Sequence, residues 1–237
     1  MSQIADNAQL SADNAQLGKE MSAKLAVELI EDGMVVGLGT GTTAKIAIDL
    51  LGQRVAQGLR IKAVATSKAS SNQAVKLGID VVDINDVAEI DITIDGADRV
   101  DRATRALIKG LGGALLREKI VAGYSQQLII IVDERKITDK LGVDCAVPVE
   151  VEPFGYVSTK NRLRNLGCEP TLRRQSNDEP FITDGGNYIV DCQFGLIKDP
   201  AALEASINQQ IGVIDSGLFV GMDPRVIVGT TSTAFEL

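Results

Sequence analysis

Histidine is absent from all 237 residues, so any proton shuttle near neutral pH falls to carboxylates, lysine, cysteine or tyrosine. Aromatic residues make up only 3% and no Lys/Arg run occurs; with 32 acidic against 24 basic residues, a net charge of −8, the chain offers neither the cationic surface nor the stacking set of a nucleic-acid binder. Cys145, Cys168 and Cys192 are odd in number, widely spaced and without a CxxC pair. They make no disulfide framework and, with no histidine to join them, no familiar zinc site; they are expected to be reduced and buried. No apolar run reaches the ~18 residues of a membrane span, and the N-terminal MSQIADNAQLSADNAQLGKE has neither the basic region nor the apolar core of an export signal. The expectation is a cytoplasmic protein with a small-molecule substrate and no nucleic-acid or membrane partner.

What is present is an apolar content of 45%, enough to fill one large α/β domain or a main domain with a smaller companion. ADNAQL at 5–10 recurs at 12–17 and reads as a helical or frayed extension. From Leu17, the apolar residues Met21, Leu25, Leu29 and Ile30 follow at helical spacing, with Gly33 as a left-handed stop. Strand and helix then alternate: strand MVVGLG, a helix from Thr43 to Leu51, strand IKAVAT, helix SSNQAVKLG, strands IDVVDI and IDITID, helix GGALLREKIVAGY, strand QLIIIVD. Short, nearly all-apolar strands alternating with helices indicate a mainly parallel sheet covered on both faces. After Leu141 the pattern changes to AVPVEVEP, a helix at GYVSTKNRLRNLG, CEPTLRR, a hairpin-like FITDGGNYIVDCQF and a helix at PAALEASINQQIG. A small α+β domain at 142–212 is therefore expected as an insertion in a sheet domain of 1–141 and 213–237. GLFVG and RVIVGT are expected to return to the large sheet.

Two stretches carry chemistry. GLGTGTTAK, residues 37–45, lies where a strand hands over to a helix, and free N–H groups beside glycines make a phosphate or carboxylate site. It lacks the Gly-Lys-Ser/Thr end of a P-loop, Thr42 stands where a dinucleotide fingerprint has its last glycine, and no ribose-binding acid follows. Thr40, Thr42 and Thr43, with Thr66, Ser67 and Ser70 in the next strand-to-helix turn, form two hydroxyl-bearing loops suited to a phosphomonoester or sugar. Ordinary capping accounts for the same residues, and the loop alone leaves both readings open. In DGADRVDRATRALIKGLGGALLREKI, residues 95–120, Asp95 and Asp98 follow an apolar strand, and Lys109, a glycine turn and Glu118 come after them. Paired carboxylates beside an ammonium yield one acid and one base at neutral pH. The alternative for Asp95, Asp98 and Asp101 is a solvated turn or a Mg²⁺ or Ca²⁺ loop.

GLGTGTTA, DGAD, KGLGGALLREKI, VDERK and VPVEV fall in the order and spacing found in A-type ribose-5-phosphate isomerases, and the chain resembles that family from Gly18 to its C-terminus. The resemblance implies a Rossmann-like sheet domain with an inserted ferredoxin-like domain and a homo-oligomer, dimer or tetramer. It implies interconversion of D-ribose 5-phosphate and D-ribulose 5-phosphate, a step of the non-oxidative pentose phosphate pathway, without metal, nucleotide or other cofactor. Carried across residue by residue, it makes Glu118 the base that moves a proton between C1 and C2 through an enediol. Asp95, Asp98 and Lys109 would open the furanose and steady the oxyanion. Thr40, Gly41, Thr42, Thr43, Ser67, Gly110, Gly112 and Lys136 would hold sugar or phosphate. A sugar-phosphate sensor would keep the same anion loop, but the chain has no helix-turn-helix appendage. The family reads DGADE and K-G-G-G where this chain has Arg99 and Leu111. Arg99 is either solvated or acts on Asp98 or substrate; Leu111 is strained by ~1 kcal/mol or more if its position takes a positive φ.

Overall fold

Runs of β-branched residues decide the architecture. A computed structural model describes residues 2–237, with side chains from residue 9 onward. In chain order the elements are α1 Ser2–Val27, β1 Val35–Leu38, α2 Thr42–Ala56, β2 Lys62–Ala65, α3 Lys68–Lys76, β3 Asp80–Val81, β4 Ile90–Gly96, β5 Arg99–Asp101, β6 Leu107–Ile108, α4 Leu115–Gly123 and β7 Ser125–Asp133. They continue as β8 Ile137–Thr138, β9 Val147–Val151, α5 Tyr156–Arg164, β10 Glu169–Leu172, β11 Tyr188–Gln193, α6 Pro200–Asn208, β12 Val213–Ser216, β13 Leu218–Phe219, β14 Arg225–Gly229 and β15 Ala234–Glu236.

Contacts divide the chain into two units. The first holds 1–96, 121–137 and 224–237; the second holds 97–120 and 138–223. These limits differ from the 142–212 read from composition, because residues 97–120 contribute β5 and β6, which pair with each other and, through β6, with β13. The segment looks continuous with the sheet domain in sequence, yet its backbone hydrogen bonds run to the second unit.

In the first unit a seven-stranded sheet has the order β15-β14-β7-β4-β1-β2-β3, parallel throughout except for β15 at the edge. Both faces are covered. Val36 and Leu38 of β1 pack with Ile92, Ile94, Ile129, Ile131 and the helices, whereas Val35 packs with Val64, Ile90 and Val121, as the period-two alternation of a strand requires. α2 runs past the expected Leu51 because Gly52 lets it lie on Leu77; a Cβ there would meet the Leu77 Cβ at 2.7 Å. α1 begins well before Leu17, so the backbone of both ADNAQL copies is helical; the side chains of 5–8 lie outside the described residues.

The second unit has a four-stranded antiparallel sheet, order β10-β11-β9-β12, packed with α5 and α6 through Val147, Val149, Val151, Leu163, Val190 and Ile207. All three cysteines are buried here as thiols; a hydrogen bond with Cys168 and burial push the Cys192 thiol up from its ordinary pKa. The expected hairpin at 181–194 is a turn closed by one bridge, Ile182 to Tyr188, because Tyr188–Gln193 takes its full pairing from β10 and β9. RVIVGT does return to the large sheet, parallel to β7. GLFVG does not. Leu218 and Phe219 pair with Ile108 and Leu107 instead, which the two-residue length of both partners hid from any periodicity test.

α1 is seated by a backbone approach that only glycine permits. A Cβ on Gly229, at the end of β14, would lie 1.8 Å from the Gly18 carbonyl oxygen and 2.9 Å from the Ser22 nitrogen. Gly229→Ala is therefore expected to lower unfolding free energy by about 1–3 kcal/mol, measured by urea denaturation, and an unchanged midpoint would show that α1 is seated some other way.

Candidate active site

The first unit places its polar loops where open α/β sheets bind ligands. The order β3-β2-β1-β4 puts the reversal of strand order between β1 and β4, and the loops beyond the carboxyl ends of those strands form the crevice. β1 leads into Gly39–Thr43, and β4 ends at Asp95-Gly96. Asp95 is almost fully buried, and its Oδ1 accepts the N–H groups of Thr40 at 3.0 Å and Gly96 at 2.7 Å. Gly39 makes the approach possible, since a Cβ there would fall 2.1 Å from the same oxygen. A buried carboxylate thus anchors the loop that the sequence marks as an anion site.

The hydroxyls do converge, but largely on one another. Thr40 Oγ1 lies 2.7 Å from Thr66 Oγ1, 2.8 Å from Ser67 Oγ and 3.3 Å from Ser70 Oγ. Ser70 donates to the Gly39 carbonyl at 2.7 Å. Ser67 also caps α3 by accepting from Ser70 N–H, so this cluster fixes the shape of the loop. Thr42 and Gly41 are exposed and Thr43 is half-buried at the start of α2. Gly41 caps that helix at φ 113° with no side-chain cap, leaving N–H groups and the positive end of the helix dipole available to an anion.

A residue the sequence reading passes over stands beside them. Lys19 Nζ donates to Thr42 Oγ1 at 3.0 Å, bringing an ammonium to the first turn of α2. Its position follows from the Gly18–Gly229 contact, which presses this turn of α1 against the sheet. The only sequence signal was a Gly-Lys pair inside an apolar repeat. Lys136, the cation of this unit that the sequence did point to, ends a short 3-10 turn that Asp133 caps after β7, and is half-buried.

The second unit gathers Asp98, Lys109 and Glu118. Asp98 N–H donates to Ile108 O at 2.8 Å, and Asp98 Oδ2 accepts the Leu111 N–H at 2.9 Å. Lys109 and Glu118 have side chains only 3% exposed, with Nζ 3.4 Å from Oε2. Gly110 and Gly113, at φ 97° and 82°, turn the chain between them. Glu118 lies in the first turn of α4, where the helix dipole favours a carboxylate. Phe219, also buried, has Lys109 Nζ 5.5 Å from its ring centroid and Lys119 Nζ 5.0 Å from it; Lys119 is itself held by Glu204 at 2.9 Å and Asp215 at 2.7 Å.

Both departures from the family pattern resolve here. Leu111 does not have a positive φ, so the expected strain is absent: the left-handed positions of the turn are Gly110 and Gly113, both kept as glycine. Arg99 is largely buried, and its hydrogen bonds go to groups other than the Asp98 carboxylate. It binds Asp144 at 2.8 Å and donates to the Asp98 carbonyl at 2.6 Å, and the Asp144 hydrogen bond holds the guanidinium above its ordinary pKa. Asp101 is bound into its own turn, accepting from Thr104 N–H and Oγ1 at 2.7 Å. Among the described residues, no three of Cys, Asp and Glu form a group that could hold a metal ion.

Comparison with known proteins matches residues 62–233 to the family described as ribose 5-phosphate isomerase A (phosphoriboisomerase A). The chain is 53% identical over 210 residues to ribose-5-phosphate isomerase A of Gloeobacter violaceus, covering 89% of this chain and 91% of that one. Among solved structures it resembles a D-ribose-5-phosphate isomerase in complex with phospho-erythronic acid, at TM-score 0.91 and 39% identity over 94% of this chain and 99% of that one. The ribose 5-phosphate isomerase A of Methanocaldococcus jannaschii matches at TM-score 0.88 and 39% identity, over 92% and 97% of the two chains.

A buried ion pair resists the loss of one member far more than the loss of both. Lys109→Met is expected to destabilise the protein by about 3–5 kcal/mol by leaving a carboxylate without its counter-charge, with much of the loss recovered in Lys109→Met/Glu118→Leu. Thermal melts of the three proteins check this; a single variant as stable as wild type would contradict the pairing.

Proposed function

This chain belongs to the ribose 5-phosphate isomerase A family, and on that premise we propose how its residues divide the work of interconverting D-ribose 5-phosphate and D-ribulose 5-phosphate. The chemistry is an aldose–ketose isomerisation through an enediol: a proton leaves C2 beside the aldehyde and returns at C1, while a second proton passes from the C2 hydroxyl to the oxygen on C1. The observation that carries the reading is the enclosed Lys109–Glu118 pair. Glu118 takes the C2 proton and returns it to C1, one carboxylate serving both carbons in a chain without histidine. Lys109 offsets the charge that grows on the substrate oxygen as the enediolate forms.

Asp98 and Asp95 open the furanose by moving the proton between the ring oxygen and the anomeric hydroxyl. The phosphate falls to Lys19, the hydroxyls of Thr42 and Thr43, the N–H groups opening α2 and Lys136. Thr40 and Gly41 shape that loop, and Ser67 holds Thr40 in place. Gly110 and Gly112, on the turn ahead of Glu118, border the sugar. No described feature favours a sensor without catalysis: an anion loop alone would serve a sensor, and a buried base beside an ammonium is surplus to it. No helix among the described residues is long and apolar enough to cross a membrane.

Purified protein given ribose 5-phosphate should form ketose, and the rate should survive exhaustive chelation; no ketose, or a loss with EDTA that Mg²⁺ restores, would contradict the scheme. Removing a phosphate handle should weaken binding and spare the chemistry. Lys19→Ala is expected to raise KM about tenfold or more, from the ~1.5–3 kcal/mol of a charged hydrogen bond, with kcat nearly unchanged. A normal KM would remove Lys19 from the site.

Self-association is a further part of the proposal. In the second unit Phe154 is 90% and Ile211 76% exposed, on segments joined by Glu152 N–H to Gly212 O at 2.9 Å, and a second copy would cover this apolar surface. Light scattering should give a multiple of 25.1 kDa, reduced in Phe154→Glu; a wild-type monomer at micromolar concentration would contradict it.

A further inference from the structure

The turn between Lys109 and Glu118 is gripped by a side chain far along the sequence. Arg173 Nη1 donates to the carbonyl oxygens of Gly110 at 2.9 Å and Leu111 at 3.0 Å. Its Nε donates to Asp191 Oδ2 at 2.9 Å, and Nη2 closes the fork on Asp191 Oδ1. Asp191 lies opposite Thr171 on the paired strands β10 and β11, so a rigid sheet holds the guanidinium. The Arg173 Cζ is 5.9 Å from the Phe181 ring centroid, and that ring occupies the space a Cβ on Gly113 would need, 2.4 Å from Phe181 Cζ.

Peptide planarity turns this grip into a statement about the other side of the turn. Among the described residues no peptide bond is cis, so each C=O points opposite to the N–H of its own peptide unit. The Gly110 carbonyl faces Arg173, and the N–H of the same unit, that of Leu111, is the donor on Asp98 Oδ2. The Leu111 carbonyl faces the same nitrogen, so the Gly112 N–H also points away from the arginine. Two successive carbonyls turned to one side repel each other unless a cation lies between them; two successive N–H groups on the other side make a face suited to negative charge. Arg173 supplies the cation.

We propose that Arg173 is a positioning residue of the isomerisation: by holding the Gly110 and Leu111 carbonyls it keeps the Leu111 N–H on Asp98 and the amide face of the turn toward the reacting oxygens. Asp191 orients the guanidinium, and Phe181 keeps the turn from shifting. The inference rests on the isomerase reading, which the wild-type rate tests separately. Lysine cannot take its place. A single ammonium keeps the charge opposite Asp191 but lacks the planar fork that serves two carbonyls and two carboxylate oxygens at once.

Arg173→Lys, assayed with ribose 5-phosphate, is expected to lose on the order of 10–10²-fold in kcat, the scale of a misplaced catalytic group, with KM within about twofold. Inhibition by phospho-erythronic acid, whose carboxylate carries charge as the enediolate does, should weaken in parallel with kcat. If Arg173→Lys melts without cooperativity, Asp191→Asn, which keeps the guanidinium and loosens it, carries the test and should move kcat and inhibitor affinity the same way by less. An active wild type with a normal kcat in the folded variant, or a loss confined to KM, overturns the assignment of Arg173 and leaves the isomerase reading intact. A wild type without turnover overturns that reading instead.

Discussion

An ammonium and a carboxylate enclosed together, 3.4 Å apart and each 3% exposed, impose conditions on much of the second unit. Burial of either charge alone is prohibitive, and burial of both is tolerable only in good geometry. Gly217 answers one condition: it comes so near the Lys109 carbonyl that a Cβ would lie 2.2 Å away, and its own carbonyl accepts the Lys109 N–H at 2.8 Å. The tight turn through Gly110 and Gly113 answers another, returning the chain so that Glu118 enters a helix by its positive end. Phe219 walls the lysine with an apolar ring whose face favours a cation. In the proposed mechanism the same enclosure that makes the pair costly to bury would make it chemically useful, because charges screened from water act strongly on a reacting carbon.

The phosphate site proposed for the first unit meets a gentler requirement with different means. A phosphate arrives already charged and does not react, so it needs donors and a nearby cation rather than an enclosed base. A helix N-terminus capped by Gly41, two hydroxyls and Lys19 would provide these at an exposed edge, and the inward-turned hydroxyls of Thr40, Thr66, Ser67 and Ser70 keep the loop in shape. In the proposed assignments the phosphate handles Lys19, Thr42, Thr43 and Lys136 are exposed or half-buried, whereas Asp95, Lys109 and Glu118 are buried and Asp98 is half-buried.

Much of this was legible in the sequence because it rests on local patterns. The parallel sheet follows from apolar strands such as QLIIIVD, the glycine- and threonine-rich turn from its place at a strand-to-helix junction, and the carboxylates from their place after β4. What escaped was decided by contacts distant in sequence. Lys19 gains its position from Gly18 meeting Gly229 across the whole length of the chain. Leu218 and Phe219 find Ile108 and Leu107 through pairings two residues long. Leu111 looked strained because the family pattern reads glycine there, but the turn has its left-handed residues at Gly110 and Gly113. Arg99, open in the sequence to solvent, Asp98 or substrate, forks onto Asp144, a partner no spacing rule would name.

The central claim is that Glu118 moves the carbon-bound proton, and solvent exchange of that proton tests it most directly. In deuterated buffer the wild-type protein should exchange the C2 proton of ribose 5-phosphate during turnover, while Glu118→Gln, which keeps the shape and removes the basic oxygen, should slow both exchange and kcat by roughly 10²–10⁴-fold with little change in KM. A Glu118→Gln protein that exchanges the proton at the wild-type rate would show that another group is the base.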